Sequence, residues 1–352
     1  MTQFTRRDFH RLMGLAAAAS LPGTAAFAQA RELVFASWGG SYQEGIRKAW
    51  LEPFAKATGV RIREDTNPEI ARIKAMVDTG TVTWDVVTGG GTSLMQGVQQ
   101  GLFEPLPPGF DLSKTYPEAR YPFGVPSEIF STIFAYSTKA FGSGKPEPKT
   151  WADFFDAAKF PGKRTIYNRP QTVLEAALLA DGVAAADIYK VLDTKEGQDK
   201  AFAKLAAIKP HVANWWSSGA QPVQLLASGE VVLSLGWNGR FEAGLADGVP
   251  LKMVFDGQIA QLGFFMVPKG AKNKETAFEF LKFVVSPEAQ AEFHKYIAYG
   301  PVTPSSYDRI PKDKWARLPG SPDAKIGLFL DINWWAKNGT AMMERYQAFM
   351  QG

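Results

Sequence analysis

Glu32-Leu33-Val34-Phe35-Ala36-Ser37-Trp38-Gly39-Gly40-Ser41 is the stretch that decides the fold: a short apolar strand candidate running straight into a glycine-rich turn. Behind it, Tyr42 to Thr58 carries Ile46, Trp50, Leu51 and Phe54 at helical spacing, and Gly59 closes the run. Val60-Arg61-Ile62-Arg63 alternates like a strand, and Pro68 to Val77 reads as a helix. Asp85-Val86-Val87 is a short buried strand that ends in Thr88-Gly89-Gly90-Gly91-Thr92. Strand and helix alternating at this spacing predict βαβ units and a parallel sheet. Ligands of such sheets bind beyond the carboxyl ends of the strands. The segments after Phe35 and after Val87 both fall at that edge, and both are rich in Gly, Ser and Thr.

A second α/β series follows the Pro/Gly/Lys-rich stretch 141–149. Trp151 to Ala158 reads as a helix, Arg164-Thr165-Ile166-Tyr167 as a strand and Thr172 to Ala180 as a helix. Glu230 to Leu235 is a continuous apolar strand that runs into Gly236-Trp237-Asn238-Gly239-Arg240. Phe264-Phe265-Met266-Val267 is another, stopped by Pro268, and the chain from Lys274 onward is mostly helical. A chain of 352 residues suffices for two lobes of ordinary size. The fold class expected is α/β, in two lobes.

Residues 1–30 read differently. Thr5-Arg6-Arg7-Asp8-Phe9 supplies paired arginines, Leu12 to Ala19 a mild apolar run, and Ala26-Phe27-Ala28 or Ala28-Gln29-Ala30 a small-residue cleavage pattern. The apolar run is too short to span a bilayer, which takes about 20 apolar residues. The segment resembles a twin-arginine signal, which implies export of a folded chain and a soluble periplasmic product. With no Cys at the cleavage point, no lipid anchor is expected.

Composition narrows the chemistry. The net charge is only +4 and no Lys/Arg cluster tracks phosphates, so nucleic acid is not an expected partner. The absence of Cys removes disulfides, thiol nucleophiles and Cys-ligated metals together. Outside the leader only His211 and His294 remain, too few for a His-rich metal site. Gly142-Ser143-Gly144-Lys145-Pro146 looks superficially like a phosphate loop, but has Pro where Ser or Thr should meet magnesium. Neither a G-x-S-x-G elbow nor an H-E-x-x-H pair occurs. The reading is a binding protein, with no catalytic residue, metal or cofactor implied.

From Arg31 onward the order of segments resembles the extracellular solute-binding proteins of ABC transporters, in particular the spermidine/putrescine-binding family. The likeness rests on Ala36 to Tyr42, Trp84 to Val87, Leu235 to Arg240, Val267 to Lys274, Gly300-Pro301-Val302-Thr303-Pro304 and Trp334 to Asn338. It implies the two-lobed periplasmic-binding-protein fold, each lobe a mixed, mostly parallel sheet flanked by helices. One lobe would comprise 31–136 plus 265–312, the other 137–264 plus 313–352, with a ligand cleft at the hinge. It also implies a small-molecule ligand, delivery to a membrane permease and a monomeric state.

In the polyamine-binding family aromatic rings contact the methylenes and carboxylates neutralise the ammonium groups. Trp38, Tyr42 and Trp237 stand at matching aromatic positions, but Arg169, Thr172 and Gly263 stand where acids are expected and Gln261 where an aromatic is. Losing one partner of a buried charge pair costs about 3–5 kcal/mol, so a polyammonium ion is disfavoured. An arginine suits a carboxylate through two parallel hydrogen bonds. The expected ligand is therefore a small organic acid, an ω-amino acid or an opine-like zwitterion. Arg169 is the main anion anchor, Arg240 a second candidate, and Gly89 and Gly90 donors of bare backbone N–H groups. Glu128 would take an ammonium if the solute has one. Gln221 and Gln261 are amide candidates; Trp215-Trp216 and Trp334-Trp335 are either packing or pocket rim. A polyamine, phosphonate or thiamine ligand stays as an alternative.

Overall fold

The computed structural model describes residues 31–142 and 144–352; the segment read as an export signal, 1–30, lies outside the described residues. β1 (Glu32–Ser37) pairs in parallel with β2 (Arg61–Thr66) on one side and β3 (Val86–Gly90) on the other. The expected helix between β1 and β2 runs from Gly40–Ile46 through a π-turn, Arg47–Leu51, into Glu52–Thr58. Gly59 ends it with φ 71°, the left-handed cap that glycine adopts without steric cost.

Six further strands follow: β4 (Val125–Ser137), β5 (Arg164–Tyr167), β6 (Val212–Trp216), β7 (Leu233–Trp237), β8 (Leu251–Met266) and β9 (Leu328–Phe329). All nine join one sheet in the order β2-β1-β3-β8-β4-β7-β5-β6, with β9 beside β8. Each half is a parallel set, β2-β1-β3 and β6-β5-β7, and the halves are linked by the antiparallel pair β4–β8. β3 pairs with the C-terminal end of β8, whereas β7 pairs with the C-terminal half of β4. The two long strands therefore belong to both halves. Their ladder is irregular between Pro126 and Ile129 and again between Thr132 and Phe134, where extra residues bend and twist the strands.

Period-two alternation puts neighbouring side chains of the sheet into different cores. Phe265 packs with Phe35, Trp50 and Phe280, while Phe264 faces Trp84 and Leu94 on the opposite side. In the other half Phe134 packs with Ile166, Leu174 and Trp216, while Ile133 meets Leu226 and Phe241. Truncating a buried Phe of this kind to Ala costs about 3–5 kcal/mol. The C-terminal segment bridges the halves: Ile332 sits so close to Gly91 that a Cβ there would lie 2.2 Å from Ile332 Cγ2. Beyond it, Trp335 and Tyr346 pack into the core around Leu174. Trp335 Nε1 and the Tyr189 hydroxyl donate to Glu175 Oε1 at 2.7 and 3.0 Å, and burial pushes the Glu175 carboxyl up to about 7.

Candidate ligand cleft

Where the halves meet, a cavity of about 510 Å³ opens over the shared strands, within the range of small-molecule sites. Its first wall comes from the end of β1. Gly39 and Gly40 take φ 72° and 59°, a turn that an L side chain would strain, and Trp38 is left 43% exposed at the cavity wall. One helical turn on, the Tyr42 hydroxyl donates to Glu128 Oε1 at 2.7 Å and lies 3.2 Å from Thr88 Oγ1.

Glu128 comes from β4 and forms the floor. It is only 3% exposed, and its Oε2 has no hydrogen-bond partner. Burial raises its carboxyl to about 7, with the nearby Ser127 hydroxyl and then the Tyr42 hydroxyl opposing the shift. The same burial, with the Glu128 charge, holds the Tyr42 hydroxyl well above the usual phenol range.

The facing wall is the turn from β7 into helix Asn238–Ala246. Trp237 ends the strand, and Asn238 locks the turn: its Oδ1 accepts from the Ser131 N–H at 3.0 Å and its Nδ2 donates to the Ala298 carbonyl at 2.5 Å. Gly239 lets Tyr299 approach, since a Cβ there would lie 2.5 Å from its ring. Gly239, Glu242, Ala243 and Ala246 then line the cavity at positions i, i+3, i+4 and i+7, one face of the helix. Arg240 lines it as well. Burial pushes the Tyr299 hydroxyl up to about 12, with the Arg240 guanidinium pulling the other way. Glu242 Oε1 accepts from Arg317 at 2.7 Å, so this second acid already has a cation.

Of the residues expected from sequence, Trp38, Tyr42, Gly89, Gly90, Glu128, Trp237 and Arg240 line the cavity. Gly89 and Gly90 do so as part of β3, in register with Phe264 and Gly263, rather than as an open loop. Arg169, Thr172, Trp216 and Gln261 do not line it. Arg169 is exposed on the turn after β5, beside the Tyr167 hydroxyl. Thr172 is buried with φ 66°, immediately before helix Val173–Ala180. Trp216 is wholly buried; its Nε1 donates to the Leu235 carbonyl, and its ring meets Trp237 edge-on at 5.3 Å, a buttress behind the wall. Gln261 Nε2 donates to Thr132 Oγ1 at 3.0 Å, and Gln221 Oε1 accepts the Ser217 and Ser218 N–H groups. Trp215 packs against Tyr346 and Phe349.

The sequence reading missed Phe130, Glu242, Tyr296 and Tyr299. Phe130 lies on β4, which was not recognised as a strand. Tyr296 and Tyr299 immediately precede the quoted Gly300-Pro301 segment, and the small residues at helical spacing after Trp237 were a usable signal for the Glu242 face.

Rings on two walls, a buried acid at the floor and a guanidinium on the far side define a two-lobed protein that closes over a small solute. The comparisons agree. The chain belongs to the bacterial extracellular solute-binding protein family, whose model matches residues 49–322. It is 38% identical over 342 residues to the gamma-aminobutyric acid-binding protein of Pseudomonas aeruginosa, covering 96% of this chain and 95% of that one. Among solved structures, MotA from A. tumefaciens B6 in complex with glucopine is 34% identical with TM-score 0.81, covering 90% of this chain and 99% of that one. The Atu4243 GABA receptor is 36% identical with TM-score 0.80, covering 91% and 97%. The protein is a substrate-binding component of the ABC-transporter type, a role that implies a membrane permease as its partner.

Proposed function

We propose that this protein captures a small zwitterion of the ω-amino acid class in the periplasm and delivers it to an ABC permease. The observation that carries the reading is Glu128 Oε2, a buried carboxylate oxygen with no partner at the floor of the cavity. An ammonium group supplies the missing donor and charge, and the rings of Trp38, Tyr42 and Trp237 flank the methylenes. The carboxylate end goes to Arg240 on the facing helix. Arg169 is the second guanidinium available as the cleft shuts, because Gln171 on its loop already donates to Thr92 across the gap at 2.8 Å. The relatives named for gamma-aminobutyric acid support this class.

A diamine fits less well. Glu242 already pairs with Arg317 through Oε1, which offsets its charge and leaves only its Oε2 without a partner, and a second ammonium there would also meet Arg240. The lobes assigned to this motion are 31–136 with 265–312 and 137–264 with 313–352, pivoting where β4 and β8 cross. The leader directs twin-arginine export, and the mature chain acts as a monomer. Isothermal titration of purified protein with 4-aminobutanoate, putrescine and succinate tests the ligand class. Tightest binding of 4-aminobutanoate is expected; tight putrescine binding with none of 4-aminobutanoate overturns the reading.

A further inference from the structure

We propose that Gly263 is the specificity-determining residue of the cleft floor: by having no side chain it creates the space that the Glu128 carboxylate occupies, and so gives the cleft its preference for a cationic end. The inference deepens the zwitterion reading and rests on it for the identity of the solute.

Gly263 lies on β8 in register with Gly90 of β3, one residue from Leu262, whose partner on β4 is Ile129. Its backbone is not in the left-handed region, so conformation does not call for glycine. Space does. A Cβ at this position would lie 2.0 Å from Glu128 Oε1, 2.4 Å from Cδ and 2.8 Å from Oε2. No heavy atoms approach that closely, so any side chain at 263 and the observed Glu128 carboxylate exclude each other. The oxygen nearest Gly263, Oε1, is the one that the Tyr42 hydroxyl holds at 2.7 Å. The group that must yield is the end of a flexible side chain rather than backbone, so a small residue at 263 leaves the sheet intact and displaces the charge. Gly263 therefore acts through Glu128 as a positioning residue.

The test uses Gly263→Ala, Glu128→Gln and the exchange variant Gly263→Asp/Glu128→Gly, which returns an acid to the floor from the neighbouring strand. Affinities are measured for 4-aminobutanoate and for butanoate, which lacks the ammonium. Gly263→Ala and Glu128→Gln should each weaken 4-aminobutanoate binding about 100-fold, as loss of a buried charge partner does, and change butanoate binding less than about threefold. The exchange variant should recover at least about tenfold of the loss. Equal weakening of both ligands by Gly263→Ala, or retained affinity for 4-aminobutanoate, overturns the inference. Failure of the wild-type protein to bind any ω-amino acid sinks the zwitterion reading instead. In that case a crystal structure of Gly263→Ala decides the present point: Glu128 withdrawn from the floor supports it, and Glu128 unmoved beside Ala overturns it.

Discussion

The Tyr42 hydroxyl donates a 2.7 Å hydrogen bond to Glu128 Oε1, tying the first helical turn after β1 to the long strand β4 at the base of the cleft. In the proposed binding mode this contact leaves one oxygen of the carboxylate for the solute. Because burial places the Glu128 carboxyl near 7, a proton competes with the solute for that oxygen under ordinary conditions. Affinity for 4-aminobutanoate should fall roughly tenfold for each pH unit below 7 and level off above about 8. Titration calorimetry from pH 5.5 to 8.5 checks the profile, and Glu128→Gln should flatten it.

Tyr42→Phe removes the hydrogen bond that favours the charged carboxylate. The midpoint of the pH profile should move upward, and affinity at pH 7.5 should drop about tenfold, since bonds to charged groups contribute about 1.5–3 kcal/mol. An unchanged midpoint would show that the hydroxyl does not touch the ionised form.

Arg240→Ala should weaken 4-aminobutanoate more than 30-fold, roughly 2 kcal/mol or more, and leave butylamine, which has no carboxylate, nearly unaffected. Arg240→Lys should recover part of the loss, because an ammonium keeps the charge without the planar pair of donors. If Arg169→Ala is the more damaging variant, the anchor lies on the loop after β5 instead.

Glu175 makes stability depend on pH. Its folded carboxyl stands near 7 against an ordinary 4.5, so the fold favours the protonated form. That contribution is present in full below about 4.5 and is lost as pH rises through 7, on the order of 3 kcal/mol in all. The unliganded protein should melt at a higher temperature at pH 5.5 than at pH 8. Glu175→Gln keeps an acceptor for Trp335 and Tyr189, and should raise the melting temperature at pH 8 while shrinking the difference.

Asn238→Ala should destabilise the protein and abolish binding together. It orphans the buried Ser131 N–H and the Ala298 carbonyl, about 1–3 kcal/mol for each group, and frees the turn that aims Trp237 and Arg240. Chemical denaturation and titration of the same sample measure both effects.

β1, β3 and β7 were legible because they are apolar and run into glycine, whereas β6 shows no such ending and was not read as a strand. Of the shared strands only the end of β8, Phe264 to Met266, was legible. β4 carries Ser127, Glu128, Ser131 and Thr132 at buried positions, so its polar floor residues break the apolar run that marks a strand. In β8, Asp256-Gly257 looks like a turn, and Gly257 does take φ 66°, yet the strand continues through it. The rings of the site were visible at Trp38 and Trp237 because each sits beside glycine at a strand end, and at Tyr42 because it closely follows the Gly39-Gly40 turn. Arg169 drew attention by its chemistry, whereas the cavity is lined by Arg240, placed there by the Asn238 lock that no local pattern reveals. Gly263 looked like a lost acid; its meaning depends on Glu128 from another strand, a relation that sequence order does not record.

One sheet runs from β2 to β6, and the shared strands β4 and β8 at its centre are the proposed pivot. With that pivot, opening and shutting is torsion of a continuous ribbon, taken up at the two irregular steps of the β4–β8 ladder, rather than a swing about loose connecting chain. Amides of that ribbon should exchange with deuterium slowly whether or not solute is present, while those at the mouth respond to it: the molecule gapes without ever unzipping its spine.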